Sequence, residues 1–270
     1  MPVPDLQHAF DIARAAARAG ADVAMQHFRK LRDSEIARKA DNSLVTIADR
    51  EAEQAIIEVI QRAFPDHAIL GEEGGDASPP GPEGERQRPR WIIDPIDGTR
   101  AFASGGDYWG PLVALQDESG AVDVGVAILP AIGREYAAAC GLGCYRDDLQ
   151  ITLESARPVP AAWSDAVLAM GSLPRLFAGA ARSAVIELAG ACAYAYAGCD
   201  LGGCLLLLDG VADAWIETGV KIWDIAALKV LIEEADGVFT DFAGGDDLTK
   251  GEAIAGSPWA HTHVRSVMQS

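Results

Sequence analysis

Leu6, Phe10, Ala13, Ala17, Ala21, Ala24 and Phe28 recur at intervals of three or four, which predicts a long helix with one buried, alanine-rich face. A second helical pattern follows Thr46, with Ala52, Ile56, Val59, Ile60 and Ala63 on its apolar side. The period then changes. Short apolar runs at 68–70 and 91–93 predict buried strands, the first ending in glycine and paired glutamates, the second in a turn marked by Pro95 and Gly98. Residues 74–90, between these runs, are polar and rich in Gly and Pro, and predict a surface loop. Strand patterns resume at 112–115 and 122–129, bounded by the D-E-S-G turn at 117–120 and by Pro130. Further along, strands and helices alternate: a strand at 166–170, helices near 178–188 and 201–208, a strand at 212–216, and a helix beginning near Asp224. That last helix carries Ile225, Leu228, Leu231, Ile232 and Ala235 at helical spacing, with a stop at Gly237. This order predicts an α+β half with an antiparallel sheet over residues 1–150 and an α/β half over 151–270.

With 270 residues, 49% hydrophobic and 23% charged, the chain has the make-up of a soluble globular protein able to bury a large core. A net charge of −18 argues against nucleic-acid binding, which needs basic patches. The same charge repels anionic ligands, so a phosphate site here needs bound cations to reverse the local field. Residues 1–11 lack the basic-then-apolar order of a signal peptide, and no apolar run approaches the ~18 residues of a membrane span. Five cysteines (140, 144, 192, 199 and 204) show no disulfide-scaffold spacing, no accompanying His cluster for zinc and no phosphate-loop context for a nucleophile. Together these features predict a cytoplasmic protein with no membrane or nucleic-acid partner.

The densest chemistry lies in W-I-I-D-P-I-D-G-T-R-A-F at 91–102. Pro95 stiffens the frame that holds Asp94 and Asp97, and carboxylates converging at a strand end are the oxygen ligands that hard cations such as Mg²⁺ prefer. Gly98 lets a backbone N–H approach an anion, and Thr99 adds a hydroxyl. Alone, a D-P-x-D-G segment reads more readily as a surface turn. Two distant acidic segments alter that balance: Gly71-Glu72-Glu73, where Glu72 is the better ligand candidate, and Trp223-Asp224-Ile225-Ala226-Ala227. Asp224 also reads as a helix cap, and the two roles are compatible because a helix N-terminus favours a nearby phosphate. Asp49, three residues after Thr46, reads on its own as half of a capping box.

G-E-E at 71–73, D-P-I-D-G-T at 94–99 and W-D-I-A-A at 223–227 resemble, in identity, order and spacing, the signatures of the inositol monophosphatase superfamily, a group of Mg²⁺-dependent, lithium-sensitive phosphomonoesterases. The resemblance runs from T-I-A-D-R-E-A-E at 46–53 to G-S-P at 256–258. It implies a layered α-β-α-β-α sandwich of the inositol monophosphatase/fructose bisphosphatase type, a homodimer, and two or three Mg²⁺ ions per site. It also implies that Glu72, Asp94 and the Ile96 carbonyl hold one ion, that Asp94, Asp97 and Asp224 hold another, and that Thr99 and Asp49 orient the attacking water. Bound divalent cations lower the pKa of water and neutralise a leaving alkoxide, so the expected reaction is direct hydrolysis without a phospho-enzyme. The run D-P-I-D-G-T-R-A-F and the segment Glu217-Thr218-Gly219-Val220-Lys221-Ile222-Trp223-Asp224 are similar to the histidinol-phosphatase branch, with Cys199 replacing a glycine that branch tends to have. Gly98, Thr99, Arg100, Asp200 and Glu217 are then the expected substrate contacts, the two acids facing the ammonium and imidazole of histidinol phosphate. Asp200 also reads as a solvated turn acid. The alternatives are an inositol monophosphatase or broad sugar-phosphate and nucleotide phosphatase, and a catalytically idle relative acting as a binding protein.

Overall fold

The computed structural model describes residues 6–32, 35–38, 44–76, 88–198 and 200–269. The alanine-rich pattern at the start forms α1 (Leu6–His27). Strands β1 (Ile36–Arg38) and β2 (Leu44–Thr46) then pair antiparallel. Thr46 closes β2 and caps α2 (Ile47–Ala63) through the anticipated capping box with Asp49. Strands β3 (Ala68–Gly71) and β4 (Gly75–Asp76) flank a tight turn, and β5 (Arg90–Asp97) carries the two aspartates into α3 (Thr99–Ala103). A meander follows: β6 (Gly110–Gln116), β7 (Val122–Leu129), β8 (Arg134–Ala139), β9 (Gly143–Arg146) and β10 (Leu149–Ile151). These strands form an eight-stranded sheet in the order β10-β9-β8-β7-β6-β5-β3-β4. It departs from the predicted antiparallel sheet at one pairing, because β3 and β5 run parallel.

The remaining residues contribute α4 (Leu153–Ala156), β11 (Val167–Met170), α5 (Leu173–Ala178), α6 (Arg182–Ala191), β12 (Tyr194–Ala197), α7 (Leu201–Leu208), β13 (Ala214–Thr218), α8 (Ile222–Glu233), β14 (Val238–Thr240), β15 (Glu252–Gly256) and α9 (Pro258–Met268). A mixed five-stranded sheet in the order β12-β11-β13-β15-β14 results. The single helix expected near 178–188 is two helices, α5 and α6, broken around Gly179. The strand expected at 212–216 begins two residues later.

Period-two alternation sets the layers. Trp91 and Ile93 of β5 join Val113, Leu115, Val124 and Val126 beneath α1 and α2. Ile92 faces the other way, with Leu112, Ala114 and Ala127, into a core shared with α7, α8 and the inner face of the second sheet (Ala169, Trp215, Ala253, Ala255). The outer face of that sheet (Leu168, Met170, Ile216, Ile254) is covered by Leu176, Val185, Leu188, Ala260 and Val264 of α5, α6 and α9. The result is the layered α-β-α-β-α sandwich. Helices α7 and α8, with most of their residues buried, form the central layer, and α8 is the one that meets the aspartate strand. It delivers its first turn to the open end of β5.

Candidate active site

Asp94 and Asp97 share one strand, yet three residues apart they should face opposite sides. A bulge removes the conflict: β5 spends three steps from Asp94 to Asp97 while β6 spends two, from Leu112 to Gly110. Pro95 sits inside this irregularity, where its missing N–H costs nothing. Gly98 then turns the chain at φ 79°. A Cβ there would lie 2.9 Å from the Tyr108 carbonyl oxygen, so both conformation and space demand glycine.

Asp224 enters from the other direction. Lys221 is the N-cap of α8, three residues before the expected start, and Asp224 occupies the third helical position. Its Oδ2 accepts the Lys221 N–H at 2.7 Å, which fixes the carboxylate at the positive end of the helix. Asp94, Asp97 and Asp224 each present a carboxylate oxygen within 4.8 Å of the others. Glu72 joins them: it lines the same cleft, and its negative charge acts on all three.

Enclosing four carboxylates together is electrostatically unfavourable. Burial first, then Glu72, Asp97 and Asp224, push the Asp94 carboxyl well above its ordinary value. Burial and the charges of Asp200 and Asp224 do the same to Asp97. Asp224 rises to about 6, mainly by burial. Such a cluster fits a divalent cation: the ligands are hard oxygens, their number and charge suit Mg²⁺, and the cation would let them ionise together.

Asp49 lies one layer behind the cleft. Fully buried, it accepts both the N–H and the hydroxyl of Thr46 at 2.7 Å through Oδ2. Its other oxygen faces Thr99 Oγ1 at 3.3 Å, and that hydroxyl also lies 3.1 Å from the Ile96 carbonyl oxygen. Cap and site residue are therefore one side chain. Burial, reinforced by Glu73 and Glu72, raises the Asp49 carboxyl to about 6.

The cleft holds about 280 Å³ and is lined by Glu72, Asp94, Ile96, Asp97, Gly98, Thr99, Arg100, Asp200, Glu217 and Asp224, so every expected site residue but Asp49 reaches it. Asp200 is no solvated turn acid. It stands in the cleft wall at φ 42° as the N-cap of α7, whose first N–H, from Leu201, donates to Asp97 Oδ2 at 2.6 Å. Cys199 beside it lies outside the described residues, as do residues 77–87 of the predicted loop. Glu217 is buried, and its Oε1 accepts the N–H groups of Ser172 at 3.2 Å and Thr218 at 2.8 Å. Burial lifts this carboxyl to about 7. Sequence reasoning did not single out Arg175, which enters the cleft from α5 and whose charge acts on Asp200, Glu217 and Asp224. Its only signal was an arginine beside a helix-starting Ser-Leu-Pro. The described thiols are held protonated by burial, Cys140 at about 11 and Cys144 at about 12.

Among the described residues, no helix is long and apolar enough to cross a membrane. The sequence model of the inositol monophosphatase family matches residues 5–269. The chain is 32% identical to the Nus factor SuhB of Pasteurella multocida, over 92% of this chain and 91% of that protein. It is 31% identical to the histidinol-phosphatase of Chlorobaculum parvum, over 93% and 91%. The solved inositol monophosphatase from Zymomonas mobilis superposes with a TM-score of 0.83 at 28% identity, over 99% of this chain and 100% of that one.

Proposed function

The chain belongs to the inositol monophosphatase family of magnesium-dependent phosphatases, and from that premise we propose that its cleft hydrolyses histidinol phosphate to histidinol and inorganic phosphate. The observation that carries the phosphatase reading is the convergence of Asp94, Asp97 and Asp224, from two distant segments, on a volume one cation wide. Asp94, Asp97 and Asp224 would hold one Mg²⁺, and Glu72, Asp94 and the Ile96 carbonyl a second. When bound, these ions supply charge to polarise a water and to neutralise the phosphoryl and leaving-group oxygens.

The chain's own groups do the rest. The Thr99 hydroxyl, within reach of Asp49, accepts a hydrogen bond from the attacking water and relays its proton toward that carboxylate. Asp49 suits this task because burial brings its pKa near neutrality. The start of α3, where Gly98, Thr99 and Arg100 line the cleft, would offer backbone N–H groups to the phosphate. Arg100 and Arg175 offset its charge in a strongly acidic protein.

Support for a cationic leaving group comes from Asp200 and Glu217, which line the same cleft as Thr99, and from the likeness to a histidinol-phosphatase. With one Glu217 oxygen accepting two backbone N–H bonds, Asp200 is the principal partner for the substrate ammonium. A second reading, an inositol or sugar-phosphate substrate, is favoured by Arg100 and Arg175, which a polyol or a second phosphate would also use. Phosphate release measured side by side on histidinol phosphate, inositol 1-phosphate, fructose 1,6-bisphosphate and adenosine 3′,5′-bisphosphate decides between them. The proposal requires the highest kcat/KM on histidinol phosphate. A preference for any of the others removes it.

A further inference from the structure

One buried carboxylate near the site has no part in the reaction described above. Glu53 follows Asp49 by one turn of α2 and is 4% exposed. It crosses to the turn between β3 and β4, where its Oε2 accepts the N–H of Glu73 at 2.9 Å and its Oε1 that of Gly74 at 2.6 Å. The N–H immediately before these, from Glu72, donates to the Ile93 carbonyl at 3.1 Å and extends the parallel β3–β5 pairing by one residue. Three successive donors in the turn are thus fastened, one to the aspartate strand and two to Glu53. The flanking glycines leave room for this contact. A Cβ at Gly74 would sit 2.8 Å from Glu53 Oε1, and one at Gly71 would overlap the carboxylate.

We propose that Glu53 is a positioning residue that aims Glu72 at the cation site, an inference that rests on the reading of Glu72 as a metal ligand. Helix α2 then serves both arms of the cluster from successive turns: Asp49 steadies Thr99, and Glu53 steadies the turn carrying Glu72. Partners of this kind behind a metal ligand typically alter metal affinity by 10–100-fold when removed. Glutamine at position 53 keeps one acceptor but turns an NH₂ donor toward the second N–H, so one bond becomes a repulsion.

The test is Mn²⁺ binding to the full chain, by electron paramagnetic resonance and calorimetry, beside thermal melting, for the unaltered protein, Glu53→Gln, Glu72→Gln and the double variant. Glu53→Gln should weaken binding about tenfold, and the double variant should bind no more weakly than Glu72→Gln alone, because both changes disable one ligand. Unchanged Mn²⁺ affinity in Glu53→Gln, with only the melting temperature lowered, overturns the proposal; so do losses that add in the double variant. Glu72→Gln binding like the unaltered protein overturns the ligand reading and this inference with it, whereas a weakened Glu72→Gln beside a normal Glu53→Gln overturns the inference alone. Should Glu53→Gln not fold, Gly74→Ala decides. It keeps the carboxylate but crowds it, and unchanged Mn²⁺ affinity there is equally fatal.

Discussion

Replacing Asp224 with Asn separates the cost of the acidic cluster from its use. The helix loses little, because the Asn Oδ1 can accept the Lys221 N–H that Asp224 now accepts at 2.7 Å. What disappears is a charge near the dipole, a loss of about 0.3–1 kcal/mol. Against this, Asp224 ionises at about 6 in the folded protein instead of 3.8. At 1.36 kcal/mol per pKa unit, holding it ionised at pH 7.5 costs about 3 kcal/mol when no cation is bound. The sign follows from the raised pKa: the penalty is absent below pH 3.8, grows up to about 6, and is complete above that. Metal-free Asp224→Asn should therefore be more stable than the unaltered protein at pH 7.5 by about 2 kcal/mol, or roughly 4–8 °C in Tm for a chain of this size. The advantage should vanish toward pH 4. Mg²⁺ should reverse the order, since saturation at a hundred times Kd stabilises the unaltered protein by about 2.7 kcal/mol, whereas the variant lacks a ligand and should also lose turnover. Scanning calorimetry at both pH values, with and without Mg²⁺, measures every term. A variant that melts lower without metal, or keeps the Mg²⁺ shift, refutes the reasoning.

Glu217→Gln preserves an oxygen for the Ser172 and Thr218 N–H groups but removes a buried acid whose pKa stands at about 7 against an ordinary 4.5. The variant should gain stability over the unaltered protein as pH rises from 4.5 to about 7, by about 3 kcal/mol at most; denaturant titrations showing a pH-independent difference would contradict this. Asp200→Asn should raise KM for histidinol phosphate about tenfold, the loss of one charged hydrogen bond, while leaving inositol 1-phosphate nearly unaffected. Equal losses in initial-rate assays would take Asp200 out of the substrate pocket.

The elements that build the cluster were legible because each combines an apolar run with a specific stop signal. Trp91–Ile93 ending in Pro95 and Gly98, and Thr46 with Asp49, produce in the structure the strand and the capping box that their spacing predicts. The start of α8 was less legible: the capping residue is a lysine, and Asp224 reaches back to it from the third position. Strand β8, R-E-Y-A-A-A, gave no strand signal, since its alanines favour helix and it is a strand only because β7 and β9 pair with it on both sides. The parallel β3–β5 pairing and the bulge at Pro95 exist only once strands are side by side. For the same reason Arg175, far in sequence from every motif, is visible as a cleft residue only once α5 is placed at the start of the crossover from β11 to β12. Glu53 lay in plain sight within T-I-A-D-R-E-A-E, yet its partners are backbone N–H groups about twenty residues away.

Crystals of the protein soaked in Mn²⁺ offer the most direct measurement, through anomalous scattering. The account predicts a peak among Asp94, Asp97 and Asp224, with carboxylate oxygens at about 2.1 Å, and a second peak reached by Glu72. Saturating Mn²⁺ that leaves this region without an anomalous peak would contradict it.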